Sequence, residues 1–319
     1  MTNISRRLLF LVVMGWILFV GSMATALALE KVVVVLDWFV NPDHAPLYVA
    51  LERGYFRDKG LDVKFHAPSN PNDPPKFAAA KKADIAVSYQ PQHHVHVDQG
   101  LPLVRFATLI ATPLNTLVVL ADGDVKDIGD LKGKTVGYSI SGFENVLLKV
   151  MLEQKGLSLD DIKMVNVNFS LSPSLFSKKT DAVIGAYRNF ELNQMKIEGL
   201  PGRAFFVEEY GVPPYDELIL VTHRDNVRSL KLRKFVDAME AGVQFLINHP
   251  EESWALFIRG RKDLSNQLNR LAWKDTLSRF ALRPGALDRS RYQRFSRFLE
   301  KQALIKKTPP LEMVAVELP

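Results

Sequence analysis

The chain has 319 residues, of which 47% are hydrophobic and 24% charged, and its net charge is +6. Such a composition provides for one or two apolar cores, and a mild basic excess without an aromatic RNA-binding motif argues against a nucleic-acid partner. The sequence contains no cysteine, which excludes a disulfide framework, a thiolate metal site and a cysteine nucleophile.

The N-terminal segment has the order of an export signal. Arg6 and Arg7 precede a long apolar run that ends in Ala26-Leu27-Ala28. A basic start, an apolar centre and a small-residue cleavage site are typical of a secretory signal peptide. We therefore predict that residues 1–28 are a cleaved signal peptide and that the mature protein is periplasmic. An uncleaved anchor is the alternative, because the run is almost long enough to span a bilayer.

Strands and helices alternate along the first part of the mature chain. A β-branched run over residues 31–38 predicts a buried strand, and helical spacing over residues 44–54 predicts a helix. A second strand after Gly60, a proline-initiated helix over residues 74–83 and a third strand over residues 84–90 follow. This order predicts βαβ units and a parallel sheet.

The alternation continues after a connection. Apolar runs over residues 103–112 and 115–122 lead into a segment rich in Gly, Asp and Lys over residues 123–134. A new strand, a Ser-Gly turn and a helix are predicted to begin at Thr135. Amphipathic helical spacing returns over residues 228–258 and 291–305, where we predict apolar stripes that face the core.

Two short segments resemble each other, KKADIAVSYQ over residues 81–90 and KKTDAVIGAY over residues 178–187. Each has two lysines, an aspartate, an apolar strand and a final tyrosine, which predicts two lobes of similar construction. Ligands of open α/β sheets bind beyond the carboxyl ends of the strands. Trp38, Tyr89 and Tyr187 stand at such ends, so we expect these aromatic side chains to converge on one cleft.

Five segments together carry a resemblance to a known family. They are LDWFVNPDHAPLYVALERGYFRDKGLDV, KADIAVSYQPQ, DLKGKTVGY, DAVIGAYRNFE and VEEYGVPPYDELILV. Over about residues 31–305 the chain resembles the substrate-binding proteins of ABC importers for thiamine pyrimidine precursors, to which the yeast-type pyrimidine synthases are related.

The resemblance implies an α/β protein with the two-lobed, type II periplasmic-binding-protein fold, in which each lobe is a βα sheet and the ligand cleft lies between the lobes. We expect lobe 1 to comprise residues 29–122 and 218–319, and lobe 2 residues 123–217. The implied function is capture of a hydroxymethylpyrimidine or formylaminopyrimidine for thiamine biosynthesis or salvage. The implied partners are this small-molecule ligand and an inner-membrane ABC permease with its ATPase, and we expect a monomer.

The strand-end side chains suit such a ligand. An aminopyrimidine is flat and can stack on aromatic faces, and its amine can donate charge-assisted hydrogen bonds to carboxylates. Asparagine side chains can both donate and accept. The predicted ligand-binding residues are Asp37, Trp38, Asn41, His44, Tyr89, Tyr187, Asn189 and Glu191.

Two alternative functions remain at this point. One is a pyrimidine synthase of the yeast type, and the other is a receptor for a different small heteroaromatic or for a sulfonate. In the synthases the lysine that holds pyridoxal phosphate aligns with Ser88, the sacrificed histidine aligns near Gln92 or His93, and a cysteine-rich run aligns near residues 211–215. Without an amine at position 88 no Schiff base can form. We therefore expect neither enzymatic activity nor a cofactor.

Three histidines in four residues raise the question of a metal site. On a helix, His93 and His96 share a face while His94 points elsewhere, so only two could bind one ion together. We predict that the protein binds no metal and that these histidines are polar residues on the rim of the cleft.

The segment YSISGFENV forms a strand, a Ser-Gly turn and a helix start, which is a corner that can bind anions. Ser139, Ser141 and Gly142 would supply the groups that bind the anion. Glu144 in the first turn opposes an anion and fits an amine better, so we predict a simple capped helix start.

Overall fold

Two mixed sheets organise the protein, whose computed structural model describes residues 28–318. The predicted signal peptide, apart from Ala28, lies outside these described residues. Among the described residues no helix has both the length and the apolar character needed to cross a bilayer.

The first sheet is built from five strands: β1 (Glu30–Val35), β2 (Leu61–His66), β3 (Ile85–Ser88), β4 (Leu103–Ile110) and β10 (Leu218–His223). Their order is β2-β1-β3-β10-β4. Strand β1 pairs in parallel with β2 and β3, whereas β10 is antiparallel to both β3 and β4.

The second sheet repeats this plan with β5 (Asn115–Leu120), β6 (Thr135–Tyr138), β7 (Lys163–Asn166), β8 (Ala182–Tyr187) and β9 (Gly202–Phe206). Their order is β7-β6-β8-β5-β9, with β5 antiparallel to β8 and β9. Four strands of each sheet therefore run in the same direction, as the predicted parallel arrangement requires, and one strand runs opposite to them, β10 in the first sheet and β5 in the second. The antiparallel strand of each sheet arrives from the other sheet, and no local pattern records that pairing.

Helices cover the sheets and connect the strands. They are α1 (Ala45–Glu52), α2 (Tyr55–Asp58), α3 (Pro74–Ala79), α4 (Gln90–Asp98), α5 (Glu144–Glu153), α6 (Leu171–Phe176), α7 (Glu191–Ile197), α8 (Leu230–Asn248), α9 (Pro250–Phe257), α10 (Gln267–Thr276), α11 (Arg289–Lys301) and α12 (Leu311–Val314). The longest, α8, begins where the Ser229 hydroxyl accepts a hydrogen bond from the backbone N–H of Lys231, and its apolar stripe packs on α1.

The chain passes between the sheets through residues 111–114 and through residues 207–217. Strand β5 pairs within the second sheet, so the first passage precedes Asn115, whereas the sequence-based boundary placed it after Asp122. The return passage ends at β10.

The two similar segments occupy equivalent places in the two sheets. Lys81 and Lys178 both adopt left-handed backbone conformations, with φ of 56° and 54°. Asp84 then accepts a hydrogen bond from the backbone N–H of Val33, and Asp181 accepts one from that of Thr135, each at 2.8 Å. Each aspartate therefore fastens the third strand to the neighbouring parallel strand, which explains why the motif appears twice.

Candidate functional site

A cavity of about 30 Å³ lies between the two sheets, where β1, β3 and β8 end. Its walls combine aromatic, carboxylate and amide side chains. The lining residues are Asp37, Trp38, Asn41, Tyr89, Asn115, Ile140, Phe143, Glu144, Leu171, Gly185, Tyr187, Phe190 and Glu191. The structure thus brings together six of the eight predicted ligand-binding residues, and all three strand-end aromatics meet as expected. The volume corresponds to about two water molecules, so a pyrimidine ring needs a wider cleft.

One wall is the turn that follows β1. Asn41 caps the short helix Pro42–His44, because its side chain accepts a hydrogen bond from Asp43 N at 2.8 Å while its own N–H donates to His44 Nδ1 at 3.2 Å. His44 Nε2 lies 2.9 Å from Asp37 Oδ1, and the Tyr89 hydroxyl donates to Asp37 Oδ2 at 3.0 Å. This network fixes the orientation of the Asp37 carboxylate at the cavity.

The two other predicted residues do not line the cavity. His44 is fully buried behind Asp37, so it orients that carboxylate. The Asn189 amide donates to Asp43 Oδ1 at 2.6 Å and to Thr276 Oγ1 at 2.7 Å. Asn189 therefore joins the turn after β8 to the turn after β1 and to α10. A direct contact of either side chain with a ligand stays a prediction.

Aromatic side chains from opposite sheets meet across the cleft. The rings of Tyr89 and Phe143 stack with centroids 5.0 Å apart and an interplanar angle of 11°. Trp38 and Phe169 make an edge contact with centroids 4.6 Å apart. Because Phe143 covers one face of Tyr89, a ligand that stacks on Tyr89 has to use its other face or displace Phe143.

Two glutamates, each the first residue of a helix that follows a strand of the second sheet, accept hydrogen bonds from backbone N–H groups that lie just before that helix. Glu144 Oε2 accepts hydrogen bonds from the N–H groups of Ser139 at 2.6 Å and Ile140 at 3.1 Å. Glu191 Oε2 accepts one from the N–H of Tyr187 at 2.6 Å. Burial raises the pKa of Glu144 to about 8 and that of Glu191 to about 7, against the lowering effect of these hydrogen bonds.

A third glutamate lies behind the cavity, where the two passages between the sheets meet. Glu217 Oε2 accepts hydrogen bonds from the backbone N–H groups of Leu114 at 2.6 Å and Asn115 at 2.9 Å. Its Oε1 accepts one from the Tyr187 hydroxyl at 3.3 Å. Burial raises the pKa of Glu217 to about 7. One carboxyl thus connects both passages to an aromatic wall of the cavity.

The cavity is acidic. Its lining includes three carboxyl groups, those of Asp37, Glu144 and Glu191, and no lysine, arginine or histidine. Such a wall offers acceptors to hydrogen-bond donors and to positive charge, and it offers no basic side chain to an anion. The anion-binding corner that the sequence suggested is filled by the protein itself, because the Glu144 carboxyl already takes the N–H groups of Ser139 and Ile140.

The three histidines lie away from the cavity, so their predicted place on the rim of the cleft is wrong. His93 and His94 are fully buried on α4. His93 Nε2 donates to the carbonyl of Val314 at 2.7 Å, and His94 Nδ1 lies 3.1 Å from the Ser296 hydroxyl. Burial lowers the pKa of His93 to about 4 and that of His94 to about 3. Neutral imidazoles therefore hold the C-terminal segment against the first sheet, and the described residues include no cluster of three potential metal ligands.

Sequence reasoning missed several lining residues. Asn115 carries no local motif, Phe190 was passed over between the predicted residues Asn189 and Glu191, and Phe143 was passed over in the helix start where Glu144 was weighed. Gly185 sits inside the apolar strand of the second similar segment. Asn115 and Gly185 come together only when β5 is placed beside β8, so the sequence offered no direct signal for these two residues.

Comparison with known sequences identifies a matching family and several similar proteins. Residues 41–253 match the family model described as NMT1/THI5 like. The chain is 50% identical over 310 residues to a putative thiamine biosynthesis protein of Haemophilus influenzae, covering 97% of this chain and 98% of the relative. It is 36% identical over 253 residues to the formylaminopyrimidine-binding protein of Halalkalibacterium halodurans, covering 79% and 77%.

A more distant relative is an enzyme. The 4-amino-5-hydroxymethyl-2-methylpyrimidine phosphate synthase of Schizosaccharomyces pombe is 22% identical over 252 residues, covering 76% of this chain and 72% of the enzyme.

Among solved structures, the alkanesulfonate-binding protein SsuA of Xanthomonas axonopodis pv. citri bound to MOPS has a TM-score of 0.70 at 13% identity, covering 90% of this chain and 98% of that one. The predicted periplasmic-binding-protein fold is thereby confirmed.

Proposed function

The chain belongs to the NMT1/THI5-like family, and from this premise we propose that it is the solute-binding protein of an ABC importer for a thiamine pyrimidine precursor. The proposed ligand is of the hydroxymethylpyrimidine or formylaminopyrimidine type. The protein captures it in the periplasm and delivers it to an inner-membrane permease with its ATPase, without turning it over.

The observation that carries this proposal is the composition of the cavity wall. Trp38, Tyr89 and Tyr187 supply aromatic faces for a flat ring, and Asp37 and Glu191 supply acceptors for its amine. A protonated aminopyrimidine is a cation, which suits a wall of carboxyl groups without a basic side chain.

The same wall argues against the alternative ligands. A sulfonate or a phosphate would bring negative charge into a cavity that already holds the Asp37 carboxyl and whose lining has no lysine or arginine to pair with it. An acidic cavity therefore favours an amine-bearing heteroaromatic over a sulfonate.

The absence of catalysis is part of the proposal. Ser88, which takes the place of the cofactor-binding lysine of the synthases, is buried, and its hydroxyl donates to Gln92 Oε1 at 3.2 Å. The residues present therefore do not fit pyridoxal phosphate. His93, near the position of the sacrificed histidine, is buried against Val314 rather than at the cavity.

Ligand entry requires movement. The Tyr89–Phe143 stack and the hydrogen bond between Asn189 and Asp43 close the cleft from both sides. We propose that the two sheets form separate lobes that turn about the passages at residues 111–114 and 207–217 to admit the ring.

Titration calorimetry tests the function. The wild-type protein should bind hydroxymethylpyrimidine or formylaminopyrimidine, and Trp38→Ala and Glu191→Gln should weaken binding about tenfold to a hundredfold, since each removes roughly 1–3 kcal/mol of stacking or charged hydrogen bonding. Phe77→Ala and Glu198→Gln are matched controls, because both residues are exposed and lie outside the cavity lining. Binding of an alkanesulfonate but of neither pyrimidine would refute the proposal, and so would formation of pyrimidine from added pyridoxal phosphate and iron.

A further inference from the structure

The cavity wall contains a buried hydrogen-bond donor that the protein leaves unused. Asn115 is fully buried and lines the cavity, and its Nδ2 has no hydrogen-bond partner among the described residues. A buried amide donor without a partner costs about 1–3 kcal/mol, so such a group calls for an explanation.

The orientation of this amide is fixed. Asn115 Oδ1 accepts a hydrogen bond from the backbone N–H of Gly185 at 3.1 Å. Rotating the amide by half a turn would place two donors against each other, so Oδ1 faces Gly185 and Nδ2 is the free group.

The backbone around Asn115 is equally constrained. Its N–H donates to Glu217 Oε2 at 2.9 Å, and its carbonyl accepts from Arg188 Nη2 at 3.3 Å. Asn115 also stands at the first residue of β5, directly after a passage between the sheets. The donor is therefore held rigidly at the point where the two sheets meet.

Three other side-chain donors around the cavity are occupied. The hydroxyl of Tyr89 donates to Asp37, that of Tyr187 donates to Glu217, and the Asn41 amide donates to the carbonyl of Phe39 at 3.1 Å. The Glu144 carboxyl can share the task only while it is protonated. Asn115 Nδ2 is thus the buried, unpaired donor that an acceptor atom of a ligand meets, in a wall composed largely of acceptors and rings.

We infer that Asn115 is a ligand-binding residue whose Nδ2 donates a hydrogen bond to an acceptor atom of the bound heteroaromatic, either a ring nitrogen or an exocyclic carbonyl oxygen. This assignment rests on the proposed function and adds to it the requirement for an acceptor. The acidic groups select the amine of the ligand, and Asn115 selects the acceptor on the same molecule.

Asn115→Asp is the most direct test, because it keeps the oxygen that accepts from Gly185 N–H and removes the donor. We expect it to weaken binding roughly 5-fold to 100-fold in titration calorimetry. Asn115→Ala is the second variant, which removes the donor without adding charge beside Glu217 and should cause a loss in the same range. Thr116→Val is the matched control, since the neighbouring buried hydroxyl donates to the carbonyl of Phe205 and does not line the cavity. It should lower the melting temperature and leave the affinity unchanged.

Two ligands identify the acceptor. Equal losses for hydroxymethylpyrimidine and formylaminopyrimidine would support a ring nitrogen, and a loss for formylaminopyrimidine alone would support its carbonyl oxygen. If the wild type binds and both Asn115 variants bind within twofold of it, Asn115 only fastens Gly185, so this inference is overturned while the proposed function stands. If the wild type binds neither pyrimidine, the proposed function fails and this inference fails with it.

Discussion

The Glu144 carboxyl lies so close to Gly185 that a Cβ atom on residue 185 would come within 2.2 Å of Glu144 Oε1. Gly185 has φ of 103° and is the extra residue where the pairing of β8 with β5 shifts register. A side chain is thus excluded twice, by the backbone conformation and by the neighbouring carboxyl. The glycine lets the helix that begins at Glu144 place its acid directly against the central strand of the second sheet.

Gly185→Ala should therefore destabilise the protein strongly. We expect a loss on the order of 3 kcal/mol in the free energy of unfolding, because backbone strain and a steric clash add. Gly260→Ala is the control, since Gly260 has φ of 71° and a Cβ there would meet nothing within 4 Å. It should lose only about 1 kcal/mol. Urea denaturation measures both, and equal losses would show that the contact with Glu144 is unimportant.

Glu144 should make the ligand-free protein less stable as the pH rises. Burial raises its pKa from 4.5 to about 8. Between these two values the folded protein keeps a proton that the unfolded chain releases, so the free energy of unfolding falls with increasing pH across this window and levels off above it. Glu144→Gln should reduce the loss in thermal melts between pH 5 and pH 9, while the exposed Glu198→Gln should not. An unchanged slope in Glu144→Gln would mean that this carboxyl ionises as freely as one in water.

His93 should have the opposite effect on the acid side. Its pKa is lowered from 6.5 to about 4 by burial, so the unfolded chain binds a proton in this window that the folded protein does not. The free energy of unfolding therefore falls as the pH drops from about 6.5 to about 4. His93→Gln preserves a donor for the Val314 carbonyl without titrating and should lessen this loss. His249→Gln, at an exposed histidine, is the control, and equal acid sensitivity of the two variants would contradict the argument.

Asn189→Ala should act on stability rather than on ligand affinity. It removes two buried hydrogen bonds, to Asp43 and Thr276, while Thr276 Oγ1 still lies 3.0 Å from Asp43 Oδ1, so we expect a loss of about 1–3 kcal/mol in the free energy of unfolding. Asn193→Ala, one turn further along, removes an amide that donates to the exposed side of Asp275 and should cost less than about 1 kcal/mol. A large loss of affinity with unchanged stability would instead support the direct ligand contact predicted from the sequence.

Local patterns were sufficient wherever a single segment carried the information. The β-branched run before Asp37 and the proline that starts α3 depend on neighbours in sequence, and each forms as the residue types dictate. The predicted strand over residues 31–38 ends earlier, at Val35, because Asp37 and Trp38 belong to the turn that builds the cavity. The similar segments that contain Asp84 and Asp181 also predicted similar local structures, since each aspartate accepts a hydrogen bond from a backbone N–H of the adjacent strand.

The sequence by itself determined the alternation of strands and helices, the resemblance to pyrimidine-binding proteins and the strand ends at which Trp38, Tyr89 and Tyr187 stand. Only the tertiary structure decided that β5 leaves β4 to join the second sheet and that β10 leaves β9 to join the first, each as the antiparallel strand. It also decided that the histidines are buried beneath the C-terminal segment and that Asn115 lines the cavity. The physical reason is separation along the chain. Asn115 lies 70 residues from Gly185, which fixes its amide, and 102 residues from Glu217, which holds its backbone. Periodicity reports which face of an element is buried, but it does not report which distant element covers that face.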